Sequence, residues 1–343
     1  MQLSDFHFEL PSELIARYPL AHRSASRLMV LSGISGNVLH HRFTELLNLL
    51  SEGDLLVFND TKVIPARLMG KKTTGGQVEV LIERILNENS ILAQVRASKA
   101  LRLDDYLLFA NDIKLEVVDR KNQFYELRYN GNDKSILEIA ESIGQIPLPP
   151  YMHREPEESD KERYQTVYAL HKGSVAAPTA GFHFDEMLLS KLREKKVEIA
   201  YLTLHIGAGT FAPVRSENIT EHKMHAEYLD VPEALCEKIK ATKERGKRVI
   251  AIGTTTLRAL ETASQSGNIE PYRGETSIFI YPGYRFRCVD ALLTNLHLPR
   301  STLLMLVCAF GGHDEVMQAY KEAVAQSYRF YSYGDAMWVS VKD

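Results

Sequence analysis

Two rhythms of apolar and polar positions divide this chain. From about Ile64 to Tyr129 come short runs of alternating apolar residues, "VIPARLMG", "QVEVLIERI", "SILAQVRAS", "DYLLFA", "IKLEVVD" and "QFYELRYN", punctuated by Gly, Asn and Asp. Regularly spaced strands with turn signals and no helix between them predict a small antiparallel barrel or sandwich, inserted into the chain. "DKSILEIAESIG" predicts a helix closing the insert, and the Pro-rich "QIPLPPYM" disfavours helix and central strand alike. The charged "REPEESDKERYQ" is expected at the surface.

Elsewhere the rhythm is strand, loop, helix. "GDLLVFND" reads as a buried strand ending on a polar turn, after "ELPSELIARYPL", where Pro11 or Ser12 can start a short helix. From Val167 onward, "DEMLLSKLREKK" has early acids and late bases, as a helix dipole prefers, and runs into the strand "VEIAYLTLHI". "PEALCEKIKATKERG", "KRVIAIG", "TTTLRALETASQ" and "TSIFIYPG" continue the alternation, and "LPRSTLLMLVCAF" reads as a buried helix capped near Ser301 or Thr302. Alternating helices and strands imply a mainly parallel α/β layer or an incomplete α/β barrel. The expected fold is therefore α/β: an incomplete α/β-barrel-like catalytic domain, residues 1–62 and 151–343, interrupted by a β-barrel domain, residues 63–150.

Composition changes this picture little. The length of 343 residues favours about two domains, and 45% hydrophobic with 25% charged residues fits a globular protein. "MQLSDFHFEL" has no basic leader, and "LLMLVCAF" is too short to span a bilayer, so no membrane association and a cytosolic location are expected. Cys236, Cys288 and Cys308 lie far apart without C-x-x-C spacing, which argues against a zinc ribbon or dithiol site. A net charge of -3 argues against a general polyanion binder. Local basic patches at Lys71 and Lys72, at Arg96, Lys99 and Arg102, and at Arg245 to Arg248 still leave nucleic acid open.

In α/β folds ligand loops follow the C-terminal ends of strands. Here several strands end in polar turns: "FNDTK", "HIGAGTF", "GTTTLR", "YPGYRF" and "TNLHLPRST". If these strands share a sheet, one cleft holds Asn59, Asp60, Thr61, His205, Thr210, Thr254, Thr255, Arg258, Asn295 and His297. "GSVAAPTAGFHF" adds Thr179 and His183 on a small-residue loop whose backbone a ligand can approach. Singly the motifs are weak. "GAGT" lacks dinucleotide-fingerprint spacing, "GTTTLR" can bind an anion or simply cap its helix, and no P-loop is present. His222 and His225 in "EHKMHAE" lack zinc spacing, so no metal is expected. Tyr281 and Tyr284 of "YPGY" either pack a turn or offer a stacking surface for a purine or sulfonium.

Taken together, "NDTKVIPARL", "YQTVYA", "GSVAAPTAGFHF", "HIGAGTF", "EHKMHAE", "GTTTLRALE", "IYPGY", "TNLHLPRSTLLMLV" and "YRFYSYGDAM" resemble one family: the S-adenosylmethionine:tRNA ribosyltransferase-isomerases of queuosine biosynthesis. The likeness spans essentially the whole chain. Ser24, Lys62, Phe182 and Ile206 depart from the family's usual residues, and only Lys62 matters chemically, since Lys cannot reproduce a bidentate guanidinium contact. The resemblance implies an α/β catalytic domain with an inserted β-barrel. It also implies that the ribosyl part of S-adenosylmethionine is transferred to 7-aminomethyl-7-deazaguanine at the tRNA wobble position and isomerised, giving epoxyqueuosine with release of adenine and methionine. S-adenosylmethionine is then a consumed substrate, no separate cofactor is needed, tRNA is the macromolecular partner, and a monomer is expected.

That chemistry assigns tasks. The sulfonium acidifies the adjacent C5′ hydrogens, so a base must remove one: His183 or His205, with Asp60 as the alternative. Ribose hydroxyls and the methionine carboxylate need polar and cationic partners, for which Thr179, Thr210, Thr254, Thr255 and Arg258 are candidates. Asn59, Thr61, Lys62, Arg67, Tyr281, Tyr284, Asn295 and His297 complete the expected substrate-binding set. Competing readings are a non-catalytic tRNA-binding module and an enzyme acting on a free sugar or nucleotide. Clustered His, Thr and Asn favour catalysis over phosphate binding, which relies on Lys and Arg.

Overall fold

A computed structural model describes residues 1–32, 36–211, 214 and 216–341. Its strands, in chain order, are β1 (Arg27–Leu31), β2 (Val38–Arg42), β3 (Leu55–Asn59), β4 (Thr61–Val63), β5 (Arg67–Lys72), β6 (Gln77–Asn87), β7 (Ser90–Ala97), β8 (Tyr106–Leu108), β9 (Lys114–Lys121), β10 (Phe124–Tyr129), β11 (His171–Ser174), β12 (Glu198–His205), β13 (Glu227–Val231), β14 (Val249–Ile252), β15 (Tyr272–Thr276), β16 (Ala291–Asn295) and β17 (Ala336–Ser340). The helices are α1 (Leu46–Leu49), α2 (Ile136–Ile143), α3 (Asp160–Arg163), α4 (Glu186–Glu194), α5 (Glu233–Glu244), α6 (Thr254–Ala263), α7 (Thr302–Gly311) and α8 (His313–Ala325). None of them is long and apolar enough to cross a membrane.

Nine strands form one mixed sheet in the linear order β15-β13-β12-β3-β14-β16-β17-β1-β2. At its centre β12, β3, β14 and β16 run parallel. Strands covered on both faces must be apolar throughout, and "LLVFN" and "VIAI" are buried at every position. Side chains from α5, α6, α7 and α8 pack on one face, and those from α1 and α4 on the other. Local chemistry starts these helices where the strands need them. Asp185 caps α4 by accepting the Leu188 N–H at 2.8 Å, and Ser301 caps α7 by accepting that of Leu304 at 3.2 Å.

Six of the short runs close into an antiparallel barrel, ordered β10-β7-β6-β5-β8-β9, with β9 paired to β10. Along β6 the residues Val78, Val80 and Ile82 point inward, as period-two alternation predicts. The register then slips between Ile82 and Arg84, leaving Glu83 unpaired in a β-bulge. Helix α2, with a Ser135/Glu138 capping box, packs on the barrel, and Val175 and Ala208 from the α/β part join the barrel's core.

One expectation is corrected. "TSIFIYPG" is not a strand beyond Thr276: the strand is β15, "YRGET", and it pairs antiparallel with β13 at the sheet's edge. Ile278, Phe279 and Tyr281 instead pack onto the core from irregular chain. The short helix expected from Pro11 or Ser12 is present as a single 3-10 turn, Ser12–Leu14, with Pro11 at its N-cap.

Candidate active site

The parallel strands end together, and their loops enclose a narrow slot. It is lined by Thr179, Thr210, Thr254, Thr255, Asn295 and His297, with Ala176, Ala177, Pro178, Ala180, Ile206 and Leu303 as apolar wall. Residues 176–180 of "GSVAAPTAGFHF" are thus one side of the slot, and their small side chains let the walls close in. Helix α6 begins at the slot, so its unpaired backbone N–H groups and positive dipole end face the space. Thr210, Thr255 and Leu303 also line an adjoining cavity of about 230 Å³, which contains Arg258, Glu227, His222 and His225.

Arg258 is 5% exposed. Its Nη1 donates to Glu227 Oε2 and its Nε to the Ile278 carbonyl at 3.2 Å, while its buried Nη2 has no partner among the described residues. A guanidinium with one arm anchored and one free is suited to a carboxylate.

His297 donates to or accepts from Thr294 Oγ1 at 2.9 Å through Nε2, and burial pushes its pKa down to about 3. Asn295 donates to the Tyr331 carbonyl at 2.8 Å, and its side chain hydrogen-bonds His183 from the slot side, favouring the charged imidazole against burial.

The other predicted residues divide. His205 lines two further cavities, of about 530 and 450 Å³, beside β11. Its Nδ1 meets Thr61 Oγ1 at 2.7 Å, its ring stacks on Tyr228, and burial followed by the His171 charge lowers its pKa to about 4. In the tautomer with Nδ1–H donating to Thr61, Nε2 keeps a lone pair. That nitrogen faces Gly173, where a Cβ would come within 2.8 Å of it. Asp60 shares the 450 Å³ cavity with His205 and accepts from Thr203 Oγ1 at 2.7 Å, and burial raises its pKa.

His183 is 4% exposed and lies behind the slot wall, not in it. It bonds Ser26 Oγ at 2.7 Å and stacks on Phe43, and burial lowers its pKa to about 4. The loop's backbone turn, Thr179–His183, sends Thr179 to the slot and His183 into the core. Asn59 is also internal: its side chain bonds the Leu204 carbonyl, the Leu204 N–H and the Thr61 N–H, tying β3 to β12. Tyr281 and Tyr284 pack a turn, with Tyr284 bonded to Glu261 at 3.3 Å, and form no stacking surface in these cavities. Arg67 is held by Glu79 and Glu155 on the barrel's flank, beside a separate 520 Å³ cavity. Lys62 lies on β4 opposite Lys172 and away from the slot.

Sequence reasoning missed Tyr164, Tyr331 and Ser332 in the slot wall, and the buried acids Glu83 and Glu227. The "FYSYG" run was a visible signal for Tyr331 and Ser332. Glu83 had none, because its placement depends on the bulge.

Comparison with known proteins accords with this geometry. Residues 3–339 match the family described as queuosine biosynthesis protein. A crystal structure of S-adenosylmethionine tRNA ribosyltransferase from Thermotoga maritima is 36% identical, covers 98% of this chain and 99% of its own, and superposes with a TM-score of 0.57. With nearly every residue inside the match and the strand-end loops gathered as such an enzyme requires, the chain belongs to the queuosine biosynthesis protein family.

Proposed function

We propose that this enzyme transfers the ribosyl part of S-adenosylmethionine to 7-aminomethyl-7-deazaguanine in tRNA and isomerises it to the epoxy-cyclopentanediol, releasing adenine and methionine. The observation that carries the reading is the free Nη2 of Arg258 in a cavity continuous with a threonine-lined slot at the start of α6. Such a pair of spaces suits an amino-acid carboxylate joined to a nucleoside. Thr179, Thr254 and Thr255 supply hydroxyls for the ribose. The Thermotoga protein, an S-adenosylmethionine tRNA ribosyltransferase, supports the same reaction class.

Neither histidine lines the slot, so proton removal from C5′ by His205, favoured here over His183, requires the C5′ end of the nucleoside to reach out of the slot towards the cavities that His205 lines. His205 is neutral at physiological pH and reaches open cavities, whereas His183 is sealed behind Phe43 and Ser26. The nucleophile is the amine of the base, so no protein nucleophile enters. The test is to incubate the protein with S-adenosylmethionine and tRNA bearing the aminomethyl base and to follow products by mass spectrometry. Modified nucleoside, adenine and methionine should appear together and only with that tRNA; RNA binding without any of the three would overturn the proposal in favour of a binding module.

A further inference from the structure

The 530 Å³ cavity lies between the barrel and the α/β sheet and is acidic. Glu83 and Glu88 reach it from β6 and the turn after it, and Glu227 from β13. Its two cations are already engaged, Arg84 with Glu275 and Lys172 with Glu141. Glu227 is neutralised by Arg258. Glu83 is not: no cation lies within ion-pair distance of it among the described residues, it is 7% exposed, and its Oε2 is buried without a partner.

Three features hold that carboxylate in place at some cost. The β-bulge takes Glu83 out of the ladder and re-aims it. Gly207 makes room for it, since a Cβ there would collide with Glu83 Oε1. Backbone N–H groups of Ala208 and Gly209 bond the carboxylate, opposing the burial that pushes its pKa up. A buried acid without a counter-ion is destabilising unless a ligand supplies one.

We propose that this cavity receives the amine-bearing base of the tRNA and that Glu83 is the specificity-determining residue, pairing with the ammonium of its aminomethyl group. This rests on the reaction proposed above. Glu227 is the wall shared with the Arg258 cavity, so the amine would wait beside the S-adenosylmethionine site, separated from it by one ion pair.

The experiment compares binding of two tRNAs, one with 7-aminomethyl-7-deazaguanine and one with guanine at the wobble position, to the wild type and to E83Q. Wild type should prefer the aminomethyl tRNA by at least about tenfold. E83Q should lose most of that preference and bind the guanine tRNA within about twofold of wild type. If E83Q does not fold, Glu83→Asp, which withdraws the carboxylate by one methylene, should show the same loss. A full preference retained in either variant, with wild-type turnover intact, would overturn the assignment of Glu83 alone. Absence of both preference and turnover in the wild type would overturn the reaction and this inference together.

Discussion

The two cavities that meet at Glu227 are built from opposite chemistries. The Arg258 cavity, with the slot at the strand ends that adjoins it, offers hydroxyls, amides, a helix N-terminus and the free arm of Arg258. The cavity under the barrel offers carboxylates whose surplus is uncompensated. One suits a ligand with an anionic end and sugar hydroxyls, the other a ligand with a cationic amine. The contrast teaches that the insert completes the site: the α/β sheet alone supplies the slot, and the barrel contributes the acid.

The largest effect that would test this contrast is at the shared ion pair. Arg258→Met leaves Glu227 buried and unpaired, which should cost about 3–5 kcal/mol in denaturant-induced unfolding and abolish turnover. Arg258→Lys should fold, with a KM for S-adenosylmethionine raised about tenfold or more and the KM for tRNA little changed. Equal losses for both substrates would mean that the cavities are not distinct sites.

Next are the histidines. His205→Ala should lower the single-turnover rate by about 10²-fold or more, as loss of a general base does. His183→Ala should leave that rate within about threefold and instead cost about 1–3 kcal/mol of stability, because Ser26 and the surrounding core lose a buried partner. The reverse pattern would return His183 to the chemistry.

That pair of residues shows what was legible in the sequence and what was not. The barrel, the buried parallel strands and helices α4 to α7 follow from periodicity and caps, and the strand-end rule with the small-residue loop named Thr179, Thr210, Thr254, Thr255, Asn295 and His297, which the structure brings to one slot. Whether a polar residue on such a loop faces ligand or core depends on one or two backbone angles, which composition does not encode. Hence His183 and Asn59 turned inward as core polar groups. Tyr281 followed the misplaced strand, because "SIFI" is apolar for packing onto the core and not for pairing. Glu83 depended on a bulge and on Gly207 from another domain, a tertiary coincidence with no local pattern.

A smaller effect comes from pH. Burial lowers the pKa of His183 to about 4 and of His297 to about 3, whereas unfolded imidazoles titrate near 6.5. As pH falls from neutrality towards 4, the unfolded chain takes up protons that the folded state refuses, so stability declines, by up to about 1.4 kcal/mol per pH unit for each histidine. Asp60, Glu83 and Glu261, raised by burial, oppose this near the bottom of the window. Urea midpoints between pH 7 and 5 should fall, and less steeply in His297→Gln. The smallest effect is Thr255→Val, which removes one slot hydroxyl and should raise the KM for S-adenosylmethionine about three- to tenfold.

The most direct measurement is a crystal structure with S-adenosylmethionine bound, because its sulfonium could be drawn to the acidic cavity and its carboxylate to Arg258. The account predicts the nucleoside in the threonine slot, the carboxylate on Arg258 Nη2 and Glu83 untouched. A sulfonium seated against Glu83, with the slot unfilled, would contradict it.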